Sequence, residues 1–380
     1  MSLGFSLGFY FLTKFILEGF LMSKKLKVGL LGGTGLVGQR FVTLLDNHPY
    51  FEVTSVAASK RSAGKKYYDT VKDRWKLNIP MPDYIKDIVV KDIYEIDEIA
   101  SEVDFVFCAV DMPKDEIKKI EETYARHEIP VVSNNSAHRF TEDVPVVIPE
   151  VNSDHLKIID KQRERLGTKK GFITAKPNCS IQSYVPALSA LLEYKPTKIL
   201  VCTYQALSGS GKTFKEFPEI LDNVIPYIPG EEDKSEKEPL KVWGHIEDNK
   251  IVCAESPAIT SQCLRVPVAD GHMAAVFVSF ENKPSKETML EHFKSFKGKP
   301  QLLELPTAPE NFLTYFEDDF RPQPRLDREL EKGMGVTIGR LREDTIFDYK
   351  FVCLSHNALR GAAGGALLTA ELLYREGYLY

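Results

Sequence analysis

The chain is expected to be an α/β protein in two parts, and three observations lead there. A buried apolar run, Lys27-Val-Gly-Leu-Leu31, passes directly into Gly32-Gly-Thr-Gly-Leu-Val-Gly38. Strand-like runs then alternate with helix-like ones up to about residue 177. After that, long β-rich runs follow one another across short polar turns. Alternation of strand and helix implies a parallel sheet covered on both faces. Closely spaced strands imply a mainly antiparallel sheet. The expected architecture is a Rossmann-like nucleotide-binding domain joined to an α+β domain.

The elements can be read in order. A helix over Gln39–Asn47 places Phe41, Val42, Leu44 and Leu45 on its apolar side. Phe51–Ala57, Asp104–Val110 and Ile129–Ser133 are further strands, with a helix over Lys114–His127. In the second part the strands fall at Lys198–Gln205, Leu264–Val268, Met273–Glu281, Gly335–Leu341 and Thr345–Leu354. Pro226–Lys241, rich in Pro, Gly, Glu and Lys, reads as a mobile surface loop. Ala362–Arg375 is a helix rich in Ala and Leu. Residues 22–177 with 356–380 form the nucleotide-binding part, and 178–355 form the catalytic and dimerisation part. No internal repeat or low-complexity tract is present.

Residues 1–21 are apolar and aromatic but interrupted by Lys14 and Glu18. They are short for a membrane span and lack the charged start of a signal peptide. Met22-Ser-Lys-Lys-Leu-Lys27 reads as an ordinary protein start. The stretch is therefore read as a mis-assigned start or a tag, with an amphipathic anchor or a surface helix as alternatives. The coding sequence decides: codons for Glu18-Gly19 that form no purine-rich ribosome site exclude the first.

Bulk properties narrow the function. A formal net charge of −5, with 43% hydrophobic and 27% charged residues, suits a globular protein without a nucleic-acid or membrane partner. The six cysteines form no CxxC pair, so no metal site is expected. Scattered through apolar runs, they fit a reducing cytoplasm.

Gly33, Gly35 and Gly38 satisfy G-x-G-x-x-G directly after a strand and at the opening of a helix. Such a turn lets the backbone approach a pyrophosphate, and the helix N-terminus supplies N–H donors. About twenty residues past Gly38, Ala57-Ala-Ser-Lys-Arg-Ser-Ala-Gly64 offers no carboxylate for a ribose 2′-hydroxyl. It offers Arg61 with Ser59 and Ser62, which suit a 2′-phosphate. The expected cofactor is NADP.

Asn178-Cys179-Ser180 follows an apolar stretch at the expected start of a helix, where a thiolate is favoured. His272, 93 residues later and just past Asp270-Gly271, is the candidate base, its ring expected to open on a cleft. Arg265 heads the same segment, and a cation there calls for a carboxylate partner. Glu238 and Lys241 offer a further carboxylate and ammonium. Ser133-Asn-Asn-Ser-Ala-His-Arg139 follows a strand, where Asn135 and Arg139 can hold an anion.

With GGTGLVGQ, PNCS, TYQALSGSG, RVPVADGH, RPQPRLDRE and NALRGAAGGALL together, the chain from Lys24 to about Glu376 resembles aspartate-semialdehyde dehydrogenase. The resemblance is to the form found in archaea, fungi and some bacteria. It implies NADPH-dependent reductive dephosphorylation of L-aspartyl-4-phosphate to the 4-semialdehyde, in lysine, methionine and threonine biosynthesis. It also implies a homodimer or homotetramer. Residue by residue, it implies Cys179 as the acylated nucleophile, His272 as acid/base and Gln205 as a substrate-orienting group. Arg265 would bind the α-carboxylate, Glu238 the amino group, and Lys241, Arg139 and Asn135 the phosphate. Gly33, Thr34, Gly35, Val37, Ser59, Arg61 and Ser62 would hold the adenine half of NADP. Ser208, Gly209, Asn357 and Gly361 would approach the nicotinamide half. The alternatives are a malonyl-CoA reductase, which needs no amine site, and a catalytically dead NADP sensor. N-acetyl-glutamyl-phosphate reductase is disfavoured, because its Gly-Cys-Tyr-Pro motif is absent.

Overall fold

The computed structural model describes residues 24–380. The reading of 1–21 as an extension lies outside the described residues. Six short strands, β1 (Leu26–Leu31), β2 (Phe51–Ala58), β3 (Val90–Asp92), β4 (Phe105–Cys108), β5 (Val131–Ser133) and β6 (Ile173–Ala175), form one parallel sheet. Its order is β3-β2-β1-β4-β5-β6, a doubly wound topology whose strand order reverses between β1 and β4. Helices α1 (Leu36–Leu44), α2 (Ile96–Glu102) and α3 (Lys114–Arg126) link its strands. All four residues of β4 are buried, as expected of a strand covered on both faces. β3 and β6, each three residues long, are strands absent from the sequence reading.

A second sheet holds β7 (Pro196–Gln205), β10 (Ala258–Arg265), β11 (His272–Phe280), β12 (Leu313–Phe316), β13 (Val336–Glu343) and β14 (Tyr349–Ser355). Its order is β10-β7-β11-β14-β13-β12. The three inner pairings are antiparallel and the two edge pairings parallel, so the sheet is mixed. A small hairpin, β8 (His245–Glu247) with β9 (Lys250–Val252), stands apart. Along β11 every second residue is fully buried. Arg265 closes β10 rather than opening a strand, because that strand begins at Ala258.

Two regions depart further from expectation. Glu231–Val242 is a helix, α4, not a mobile loop. Its exposed side carries a Lys237–Asp233 pair. Pro239 inside α4 removes the N–H that would bond Ser235, but Tyr184 Oη donates to that carbonyl at 2.8 Å. The freed acceptor is thereby satisfied, and the helix runs through its proline. Cys179 lies in a turn that leads only into a 3₁₀ turn, Ile181–Ser183, and a five-residue helix from Val185. The helix dipole expected to support its thiolate is correspondingly weak.

The C-terminal helix α5 (Gly364–Arg375) returns to the first sheet. Ala366, Leu367, Ala370 and Leu373 share a core with Val28, Leu30, Phe41 and Phe105. Among the described residues, no helix is long and apolar enough to cross a membrane.

Candidate active site

The segments after β1, β4 and β5 of the first sheet and after β7 of the second line a common cavity system. Gly35 is the N-cap of α1 and offers no side-chain cap, so first-turn N–H groups of that helix remain available to a ligand. Thr34, Gly35, Leu36 and Val37 line a cavity of about 1100 Å³, opposite Ser208 and Gly209. Gly38 is required by packing: a Cβ there would stand 2.5 Å from Gly33. Gly33 is held from behind by the Tyr67 hydroxyl, which donates to its carbonyl at 3.0 Å. Ser59 and Arg61 lie beyond the end of β2 and face solvent, while Ser62 is buried in a turn closed by its N–H to Ser59 O at 2.8 Å. These three do not line the cavity.

A smaller cavity of about 280 Å³ adjoins the first through Leu36, Val37, Ser208 and Gly209. Cys179, Arg139, Asn135 and Asn357 line it, as do Lys176, Asn178, Glu231 and Lys234. Cys179 Sγ is 3.5 Å from His272 Nε2. The two arrive from opposite directions, one past the end of β6 and the other as the first residue of β11.

His272 is 0% exposed, not open to the cleft. The Ala206 N–H donates to its Nδ1 at 3.0 Å, so the neutral ring carries its proton on Nε2, facing the sulfur. Burial, with Arg265, His356 and Lys176 nearby, pushes this imidazole well below its usual range. His272 is therefore a neutral N–H donor toward Sγ. In this tautomer Nε2 presents a proton, not a lone pair, to Cys179 Sγ.

Arg265 Nη1 donates to Ala206 O at 2.7 Å, and no ion pair to a carboxylate forms among the described residues. Gly209 separates Arg265 from His272. A Cβ on Gly209 would meet Arg265 Nη1 at 2.8 Å and His272 Nε2 and Cε1 at 3.0 Å. Gly209→Ala should therefore lower kcat/KM by about 10²-fold through misplacement of both groups, with little change in melting temperature. Wild-type kinetics in that variant would show that the loop yields instead.

The substrate-binding expectations divide. Glu238 is 1% exposed, and both its oxygens are taken, by Arg139 Nη1 at 2.8 Å and the Asn178 N–H at 2.6 Å. It is a structural counter-ion, not an amine contact. Arg139 is tied to Glu238 and, through Nε, to Lys176 O at 2.9 Å, though it still lines the cavity. Lys241 does not reach that cavity: Nζ donates to Thr141 O at 2.7 Å, and burial lowers its pKa to about 8. Glu231 and Lys234, one heptad earlier on α4, occupy the places expected for Glu238 and Lys241. Glu231 accepts from Asn178 Nδ2 at 3.1 Å, Gln205 Nε2 at 3.3 Å and Lys234 Nζ at 2.7 Å. Burial pushes its carboxyl upward, but Lys234, Gln205 and Asn178 hold it below the usual range. Asn135 turns its amide to Cys108 Sγ and Glu121 Oε1, both at 3.3 Å.

The nicotinamide-side expectations also have definite places. Asn357 Nδ2 donates to Ser208 Oγ at 2.8 Å, while its Oδ1 accepts from the Gly271 N–H at 2.8 Å. It couples the chain before α5 to the turn that carries His272. Gly361 lies directly behind the nucleophile: a Cβ there would stand 2.9 Å from Cys179 Cβ. Around Cys179, burial and then Glu231 raise the thiol above its usual range, while Lys176, Arg139 and Arg265 oppose them.

Residues 27–159 match the model for the semialdehyde dehydrogenase NAD binding domain, and 188–360 the semialdehyde dehydrogenase dimerisation domain. The chain is 43% identical to an aspartate-semialdehyde dehydrogenase of Archaeoglobus fulgidus, over 92% of this chain and 98% of that protein. It is 40% identical to that of Saccharomyces cerevisiae, over 93% and 98% respectively. The crystal structure of the Candida albicans enzyme with NADP superposes with a TM-score of 0.83 at 36% identity, covering 94% of this chain and all of that one. The chain belongs to the aspartate-semialdehyde dehydrogenase family.

Proposed function

We propose that this enzyme reduces L-aspartyl-4-phosphate to L-aspartate 4-semialdehyde with NADPH, through a thioester on Cys179, in the biosynthesis of lysine, methionine and threonine. The observation that carries this reading is the 3.5 Å approach of Cys179 Sγ to His272 Nε2, beside a cavity shared with the first turn of α1.

NADP fits the larger cavity on two grounds. The helix start there is uncapped, and the turn cannot accept a side chain at Gly38. Thr34, Gly35 and Val37 would hold the pyrophosphate side, with Arg61, Ser59 and Ser62 toward the 2′-phosphate. When bound, the cofactor supplies the hydride. Cys179 thiolate attacks the acyl carbon, its S–C bond forms, and the C–O bond to phosphate breaks. Arg265 holds the α-carboxylate, Glu231 the amino group with Gln205 beside it, and Lys234, Asn135 and Arg139 the phosphate side. After reduction, His272 Nε2–H gives a hydrogen bond to the oxygen anion of the thiohemiacetal, whose electron pair then forms the aldehyde C=O. Cys179 then leaves as thiolate when the C–S bond breaks.

The division into an NADP-binding part, 22–177 with 356–380, and a catalytic part, 178–355, is supported by the return of α5 to the first sheet. A homodimer or homotetramer is supported by the second sheet's outer face. Met273, Ala275 and Phe277 lie only half-buried there, an apolar row suited to another subunit. Cytoplasmic location follows from the biosynthetic role.

Oxidation of aspartate semialdehyde tests the reading. NADPH should form only when inorganic phosphate is present, and much faster than NADH from NAD. A requirement for coenzyme A instead of phosphate would turn the assignment to a malonyl-CoA reductase. Absence of turnover with either acceptor would remove it.

A further inference from the structure

We propose that Lys76 is a strap across the cofactor cavity, a positioning residue that ties the glycine turn of the first part to loop 210–216 of the second and so slows the release of NADPH. The inference rests on the reading of that cavity as the NADP site and adds a residue that the expected site does not contain.

The strap begins at Gln39, a buried residue of α1. Gln39 Nε2 donates to Thr34 O at 3.2 Å, inside the glycine turn, and to Arg74 O at 3.0 Å. Its Oε1 accepts from the Lys76 N–H at 2.8 Å. The backbone of residues 74–76 is thereby fixed to the turn suited to a pyrophosphate. From there the Lys76 side chain crosses to the second part. Its Nζ donates to Gly211 O and pairs with Glu216 Oε1, both at 2.8 Å. Among the described residues, no other hydrogen bond or ion pair joins 210–216 to the first part.

The position of this bridge gives it a role. Gln39, Arg74 and Lys76 line the cavity of about 1100 Å³ from the first part, and Gly211, Thr213 and Glu216 line it from the second. A dinucleotide that reaches from the glycine turn to Ser208 and Gly209 therefore lies along a wall that Lys76 holds together. The loop is braced within itself. Glu216 Oε2 accepts from the Thr213 N–H at 2.8 Å and from Thr213 Oγ1 at 3.0 Å. Gly211 turns the chain in the left-handed region, with φ of 72°. Such a loop swings as a unit, and Lys76 is its tether to the first part. The Lys76 hydrogen bond, and then the Thr213 N–H, hold the Glu216 carboxyl below its usual range. Both side chains remain partly exposed, so the pair adds little to global stability. A contact that is weak for the fold yet set in a cavity wall can break and reform as ligand enters and leaves.

Displacement of bound NADPH tests the proposal without turnover. Enzyme loaded with NADPH is mixed rapidly with excess NADP. Release is followed as loss of energy transfer from tryptophan to the reduced nicotinamide, since Trp75 lies in the cavity wall. In Lys76→Met, release should quicken about fivefold, with a melting temperature close to wild type. Glu216→Gln should quicken it by a smaller factor, because Lys76 keeps its bond to Gly211 O. The double variant should release no faster than Lys76→Met alone, as expected of two residues that act through one contact. An unchanged rate in either single variant overturns the proposal, and so do effects that multiply in the double variant. Slower release in Glu216→Gln overturns it too, because freeing Lys76 strengthens binding only if that lysine grips the cofactor's phosphates directly. A wild-type enzyme that retains no NADPH sinks the reading of the cavity itself. Intact wild-type binding with unaltered release in Lys76→Met sinks the strap alone.

Discussion

Cys179→Ala should lower kcat by about 10⁴-fold or more and leave NADP affinity within about twofold of wild type. The substitution removes one atom, and no hydroxyl is placed to replace it. Ser180 is 0% exposed, with its Oγ committed to Asn178 Oδ1 at 2.7 Å. Ser208 lines the cavity, but its Oγ already accepts from Asn357. Without sulfur no thioester forms, and hydride would have to reach an acyl phosphate directly. Stability should change by about 1 kcal/mol at most, because the cavity left by one small buried group is slight. Steady-state rates with phosphate and aspartate semialdehyde, beside a thermal melt, check both halves. Activity within tenfold of wild type would refute covalent catalysis. Loss of activity accompanied by unfolding would contradict the packing.

Local chemistry was legible in the sequence, and tertiary choice was not. The glycine turn announces itself because only a strand, a tight turn and a helix start in direct succession give that spacing. His272 and Arg265 could be named from one segment, since both are polar residues at the ends of apolar strands. The tautomer of His272 could not, because it depends on Ala206, 66 residues away. The mobile-loop reading of Pro226–Lys241 failed for a related reason. Its helix is too polar to show an apolar period, and its proline is tolerated only because Tyr184, 51 residues from Ser235, supplies the missing donor.

Glu238 and Glu231 offer the sharper test of that distinction. Each begins a Glu-x-x-Lys unit, and seven residues on a helix place them on one face about 10 Å apart along its axis. Sequence spacing alone does not choose between them. Glu238→Ala should destabilise the protein by about 3–5 kcal/mol. It strands the buried Arg139 guanidinium and removes the acceptor of the Asn178 N–H. Urea or thermal unfolding measures this loss. Glu231→Gln keeps the shape, and one acceptor oxygen, of a group whose carboxylate faces the cavity. Its melting temperature should stay close to wild type, while KM for aspartate semialdehyde rises by about 10- to 100-fold as the charge that holds the amine is lost. The opposite pattern would return the amine to Glu238: a stable Glu238→Ala with raised KM, and an indifferent Glu231→Gln. The geometry weighs against that pattern, because Glu231 lines the cavity beside Cys179 whereas Glu238 does not.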